Sequence, residues 1–265
     1  MNAVAAPAPR PLYEKAATFQ EIRANIADIQ ARIEVACGRA GRTPSEVRLL
    51  PVSKTVDENR IRMAYQAGCR LLGENKVQEA YGKWETLSDL GDLEWAVIGH
   101  LQTNKAKFVA RFAREFQALD NLRVAEALDR RLQEEGRELD VFVQVNTSRE
   151  DSKFGLPPAD VLAFAKALPA YGSLRVRGLM TLALFSADQA QVRPCFVRLR
   201  ELRDMLRQDA PQGEAFAELS MGMSGDFEWA IEEGSTTVRV GQAIFGSRKL
   251  PDSYYWPDGP EGRKA

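Results

Sequence analysis

One lysine stands where an apolar run gives way to polar sequence. Leu49-Leu50-Pro51-Val52-Ser53 reads as a strand, Lys54 closes it, and Asp57-Glu58-Asn59-Arg60 opens helix-forming sequence. An ammonium at the end of a buried strand loses hydration. Desolvation lowers a lysine pKa and sharpens the amine as a nucleophile, which is the chemistry of a Schiff base with an aldehyde or ketone. The plain alternative is a lysine whose stem follows the strand end while its head reaches water. Two further stretches suit an anion. Ser220-Met221-Gly222-Met223-Ser224-Gly225-Asp226 sets glycines and hydroxyls between a strand and a helix, and Arg239-Val240-Gly241-Gln242-Ala243-Ile244-Phe245-Gly246 sets a glycine directly after a strand. Backbone N–H groups in such loops bind phosphate, and glycine lets the backbone come close. Tight turns alone would also use these glycines.

These residues need a scaffold that brings them together. Apolar residues at Ile22, Ile26, Ile29 and Ile33 predict an amphipathic helix over residues 19–40. Strand patterns follow at about 47–53, 70–75, 94–99, 116–119, 141–146, 174–182, 217–221 and 237–240, with a helical pattern between each pair. Regular alternation with short connections predicts parallel strands joined by crossover helices. Eight such units in about 200 residues fit an α/β fold of the (β/α)8 TIM-barrel type, with a doubly wound open sheet as the alternative. Residues 1–16, rich in Ala and Pro, read as a disordered tail, 17–250 as a single domain, and 251–265 as an irregular tail. In a barrel, function gathers at the C-terminal strand ends. Here those ends carry Lys54, Glu74-Asn75, Gly99-His100, Asn146-Thr147, Met180-Thr181, Ser220 and Arg239-Val240-Gly241. The two glycine loops follow strands seven and eight, where barrels often bind phosphate.

Composition excludes several classes. A net charge of -1 gives no sign of nucleic acid or an anionic membrane as partner. Cys37, Cys69 and Cys195 are far apart and form no CxxC, so neither zinc nor a disulfide framework is expected, and a reducing cytoplasm is. No apolar run is long enough for a membrane helix. With one histidine, His100, chemistry built on histidine pairs is out. Glu232 and Glu233 are adjacent on a helix and point apart, so they read as an exposed helix end. Lys76 and Lys105 read as solvated.

A strand-end lysine for an aldehyde, a phosphate cradle and an arginine between them describe two ligands. One is pyridoxal 5'-phosphate (PLP), with Arg239 toward the pyridine nitrogen. A guanidinium keeps its proton, so that nitrogen would stay unprotonated and the ring would be a weaker electron sink. The other is a sugar phosphate in an aldolase that forms its Schiff base directly.

Six ordered motifs between about Ile22 and Arg248 carry a resemblance. They are Val52-Ser53-Lys54-Thr55, Gly73-Glu74-Asn75-Lys76-Val77-Gln78-Glu79, Ile98-Gly99-His100-Leu101-Gln102-Thr103-Asn104-Lys105, Gly178-Leu179-Met180-Thr181, Leu219-Ser220-Met221-Gly222-Met223-Ser224, and Val238 through Gly246. The chain resembles the pyridoxal phosphate homeostasis proteins, single-domain relatives of the alanine racemase N-terminal barrel. The resemblance implies PLP held as a Schiff base on Lys54. It implies phosphate binding by Ser220, Gly241 and Gln242, Arg239 at the pyridine nitrogen, Asn75 near the phenolic oxygen, and Met180 beneath the ring. His100 and Asn104 would border the mouth. It further implies cofactor supply, with PLP-dependent client enzymes as transient partners and little or no turnover, an amino-acid racemase being the alternative; a free single barrel fits a monomer, with a dimer as the other state. Alanine racemase uses a tyrosine from a second domain as its other base. Tyr254 and Tyr255 lie in the tail, and His100 is the substitute to weigh.

Overall fold

The computed structural model describes residues 13–148, 150 and 153–247. The expectations for residues 1–12 and 251–265, Tyr254 and Tyr255 included, lie outside them, whereas residues 13–16 of the expected disordered tail are packed on the domain: Ala16 is buried and Tyr13 O accepts from Ser247 N at 2.8 Å. The first element is helix α1 (Phe19–Arg39). Thr18 starts it with a capping box, its Oγ1 accepting from Glu21 N at 3.3 Å while Glu21 Oε2 accepts from Thr18 N at 3.0 Å. The buried face is the isoleucine stripe, and it packs on the outer helical layer.

Strand and helix then alternate. The order is β1 (Arg48–Pro51), α2 (Glu58–Gln66), β2 (Leu71–Glu74), α3 (Val77–Thr86), β3 (Glu94–Val97), α4 (Ala106–Phe112), β4 (Glu115–Leu119) and α5 (Leu122–Glu135). It continues with β5 (Leu139–Gln144), α6 (Val161–Ala167), β6 (Leu174–Met180), α7 (Gln189–Asp209), β7 (Glu218–Ser220), α8 (Phe227–Glu232), β8 (Thr237–Val240) and a last single turn, α9 (Gln242–Phe245). All eight strands are parallel, in the order β1-β8-β7-β6-β5-β4-β3-β2. The two ends of that order meet through a parallel bridge between Val52 and Gly73, with Ser53 N donating to Gly73 O at 3.0 Å. The sheet is therefore closed, and the TIM barrel is the fold.

Side chains alternate across the barrel wall. The outward set, with Leu72, Trp95, Val97 and Phe116, packs under the helices in one large apolar cluster. The inward set divides in two. Leu50, Val52, Ala96 and Ile98 make a separate apolar cluster on the β1–β3 side. Buried polar side chains occupy much of the rest: Glu115 and Gln117 of β4, Ser220 of β7, Thr237 and Arg239 of β8.

Glu232 and Glu233 do not form an exposed end. Glu232 pairs with Arg39 at 2.7 Å and with Arg193, and the buried Glu233 pairs with Arg193 at 3.4 Å and with Arg200. The sequence argument treated the helix alone, whereas the arginines come from α1 and α7. Among the described residues, no helix is long and apolar enough to cross a membrane. No group of three or more His, Cys, Asp and Glu among them could hold a metal.

Candidate functional site

Arg239 and Gly241, Lys54, and Asn75 stand at the ends of three consecutive strands around the rim, β8, β1 and β2. Lys54 is half-buried rather than buried, in a turn two residues past the Val52 bridge. The turn is held from behind. Lys83 of α3 donates from Nζ to Ser53 O at 2.8 Å, to Glu74 Oε1 at 2.7 Å and to Glu79 Oε1 at 2.6 Å. Glu79 Oε1 also accepts from Thr55 N at 2.6 Å, and Ser53 Oγ donates to Glu74 Oε1 at 2.7 Å. The carbonyl before Lys54 and the N–H after it are thus both fixed by one cluster. Thr55 has φ 64°, an unfavourable conformation for a β-branched residue, and its N–H bond to Glu79 helps to hold it.

The cluster has two carboxylates around one ammonium, and Glu74 is completely buried. Burial pushes its carboxyl up to about 7, with Lys83 opposing and Glu79 adding to the rise. Its Oε2 has no hydrogen-bond partner.

Asn75 follows at the end of β2. It is buried, and neither its amide oxygen nor its amide nitrogen has a hydrogen-bond partner. A Cβ at Gly99 would lie 2.2 Å from Asn75 O, so only glycine lets the two chain ends come this close. A buried carboxamide without partners is costly and fits a polar ligand atom brought to it.

Arg239 is buried on β8. Its Nη1 donates to Ser220 Oγ at 2.7 Å and its Nη2 to Thr181 O at 2.7 Å. Burial lowers the guanidinium to about 10, with Asp226 acting against the drop, so it remains a cation at neutral pH. Ser220, expected at a phosphate, is fully buried and turned into the barrel, where its hydroxyl donates to Gln117 Oε1 at 2.7 Å. Four residues on, Ser224 lies beside α9 instead, its Oγ accepting from Ala243 N at 3.3 Å. Ser224 is the second of the two hydroxyls in the anion loop read from the sequence, where the phosphate contact was expected at Ser220. Gly222 has φ 97°, and a Cβ there would lie 2.7 Å from Ala230 Cβ. Gly241 passes close to β1, a Cβ there standing 3.0 Å from Val52 O, and Gln242 starts α9 half-exposed. Met180 is fully buried at the end of β6, where it pairs with Ser220.

His100 stacks on Phe154, with centroids 4.0 Å apart and planes 12° from parallel. Its Nδ1 stands 3.9 Å from Asp120 Oδ2. Asn104 is exposed in a short turn, and Lys76 is exposed at the start of α3. The ring of strand ends can therefore offer one amine, one fixed cation, a buried carboxamide and a glycine-lined loop to a single ligand.

Known proteins resemble this chain over most of its length. Residues 17–249 match the family described as alanine racemase, N-terminal domain. The pyridoxal phosphate homeostasis protein of Aquifex aeolicus is 42% identical over 218 residues, covering 82% of this chain and 94% of that protein. Its counterpart in Pseudomonas aeruginosa is 43% identical over 227 residues, covering 86% and 96%. Among solved structures, PipY of Synechococcus elongatus with PLP bound superposes with a TM-score of 0.76 at 36% identity, covering 85% of this chain and all of that one (100%). The alanine racemase of Bartonella henselae, at 16% identity and a TM-score of 0.66, covers 89% of this chain and 61% of that one, a likeness of fold. The chain belongs to the alanine racemase N-terminal domain family and, within it, to the pyridoxal phosphate homeostasis proteins.

Proposed function

We propose that the protein binds PLP covalently through Lys54 and serves to hold and supply that cofactor, with little or no turnover of its own. The observation that carries this reading is the partnerless, buried Asn75 carboxamide beside the held Lys54 turn. The homeostasis proteins it matches and the PLP-bound PipY support it.

PLP supplies an aldehyde that condenses with an amine and a ring that withdraws electrons. Lys54 is the amine, on a backbone that the Lys83 cluster keeps from swinging away. Asn75 would donate to the ring's phenolic oxygen. Ser224 Oγ and the backbone N–H groups of Gly241 and Gln242 would hold the phosphate, and Met180 would line the pocket under the ring. Ser220 serves the site through Arg239, which it holds. Arg239, which keeps its proton, would face the ring nitrogen and leave it unprotonated. Electron withdrawal is weakened as a result, which favours holding over turnover. His100 lies flat against Phe154, which fixes the plane of its ring.

The test is the visible spectrum of the purified protein with added PLP, before and after borohydride, followed by mapping of the modified peptide. A band bleached by borohydride, with the pyridoxyl mass on Lys54, is expected. A protein that stays colourless, or a label on another lysine, overturns the reading. Incubation with a panel of amino acids in deuterated solvent should leave their α-positions unlabelled. Steady exchange into one of them would make the protein an enzyme.

A further inference from the structure

We infer that Gln117 and Glu115, deep in the barrel on β4, are positioning residues that fix the plane of Arg239 at the site. What Arg239 faces rests on the PLP reading above; the chain of bonds that fixes it does not.

Inward positions of a barrel are usually filled by branched apolar side chains. Here a continuous line of polar bonds runs through that space. At its lower end Glu115 is gripped by both Nη atoms of Arg48, with Nη2 to Oε2 at 3.0 Å, and Arg48 Nη2 also meets Thr237 Oγ1 at 3.2 Å. Gln117 Nε2 donates to Glu115 Oε2 at 2.8 Å. Ser220 Oγ donates to Gln117 Oε1 at 2.7 Å, and Arg239 Nη1 donates to Ser220 Oγ at 2.7 Å.

The direction of this line has one solution. The Glu115 carboxylate accepts from Gln117, so Gln117 presents nitrogen to it and oxygen to Ser220. Ser220 must then donate, which leaves its lone pairs for Arg239. Every dipole points its negative end toward Arg239, so the line extends the carboxylate's influence to a buried guanidinium. Arg239 donates to Ser220 Oγ and to Thr181 O. Those two bonds, from different Nη atoms, set the plane of the group and leave its remaining N–H bonds to face the site.

The experiment begins without cofactor. In the ligand-free protein, the Arg239 side-chain N–H signals in a 15N-resolved NMR spectrum are identified by their loss in Arg239→Lys. Hindered rotation should keep its Nη protons resolved and slow to exchange. Gln117→Leu should collapse or speed those signals by about tenfold or more, with circular dichroism unchanged. Ser220→Ala should do the same, and the double variant should be no worse than either, because one line is cut once. With PLP added, Gln117→Leu should shift the visible band and weaken binding about tenfold. If Gln117→Leu does not fold, Gln117→Asn, one methylene shorter, breaks the contact with polarity kept and is read in the same way. Unchanged Arg239 signals in a folded variant overturn the inference. A wild-type protein that binds no PLP yet loses its Arg239 signals in Gln117→Leu would uphold the positioning and sink the proposed ligand.

Discussion

Replacing Glu74 by Gln should flatten the dependence of stability on pH. Glu74 is fully buried, shares one ammonium with Glu79, and has its carboxyl raised from 4.5 to about 7. Between those values the folded protein keeps a proton that the unfolded chain has released. A raised carboxyl therefore adds stability that is complete below about 4.5 and is lost as pH climbs through about 7. At about 1.4 kcal/mol for each pH unit, the interval amounts to about 3 kcal/mol. Gln mimics the protonated side chain: its oxygen still accepts from Ser53 Oγ, and Lys83 still pairs with Glu79. The assay is urea unfolding of both proteins from pH 4.5 to 8, with the difference in unfolding free energy plotted against pH. The difference should grow in favour of Glu74→Gln by about 3 kcal/mol between pH 5 and 8. Two parallel curves would refute the reasoning, since Glu74 would then titrate as an exposed carboxylate does.

Lys54→Ala should abolish the borohydride-fixed label while equilibrium dialysis still detects weakened PLP binding, because the phosphate and ring contacts do not use the lysine. Lys83→Met should lower stability in urea unfolding more at pH 8 than at pH 5, since only the ionised Glu74 is left buried without its cation, and Lys83→Arg should recover part of that. In Lys83→Met, PLP binding should also fall, because the Lys54 turn loses its bond at Ser53 O. Gly222→Ala should lose more than about 1 kcal/mol in urea unfolding, from φ 97° together with the 2.7 Å approach to Ala230.

Local signals reached a long way into this fold. The bounds of β8, Thr237–Val240, follow from its alternation, and α1 ends within a residue of its expected stop because a cap is a matter of neighbours. The strand-end position of Asn75 was legible for the same reason. β1 stops at Pro51, short of the expected residue 53, because Val52 finds only the bridge to Gly73 and the chain then turns through Thr55. The partners of Ser220 were out of reach. Gln117 lies 103 positions away, and no nearby residue signals that a strand-end serine turns inward to it. Lys83 could be read as an i,i+4 partner of Glu79, but its hold on Ser53 depends on how α3 packs over the β1–β2 seam.

The divided interior has a consequence for recognition. Beneath Lys54 and Asn75 lie Leu50, Val52, Ala96 and Ile98, a poorly polarisable wall, while beneath Arg239 stands a column of oriented dipoles ending in an ion pair. The electrical response of the interior therefore differs from one side of the mouth to the other. An uncharged carbonyl end is tolerated over the first wall, and an electron-rich heterocycle is drawn toward the second. On the PLP reading, the two walls would favour one of the two ways round that a flat ligand could lie.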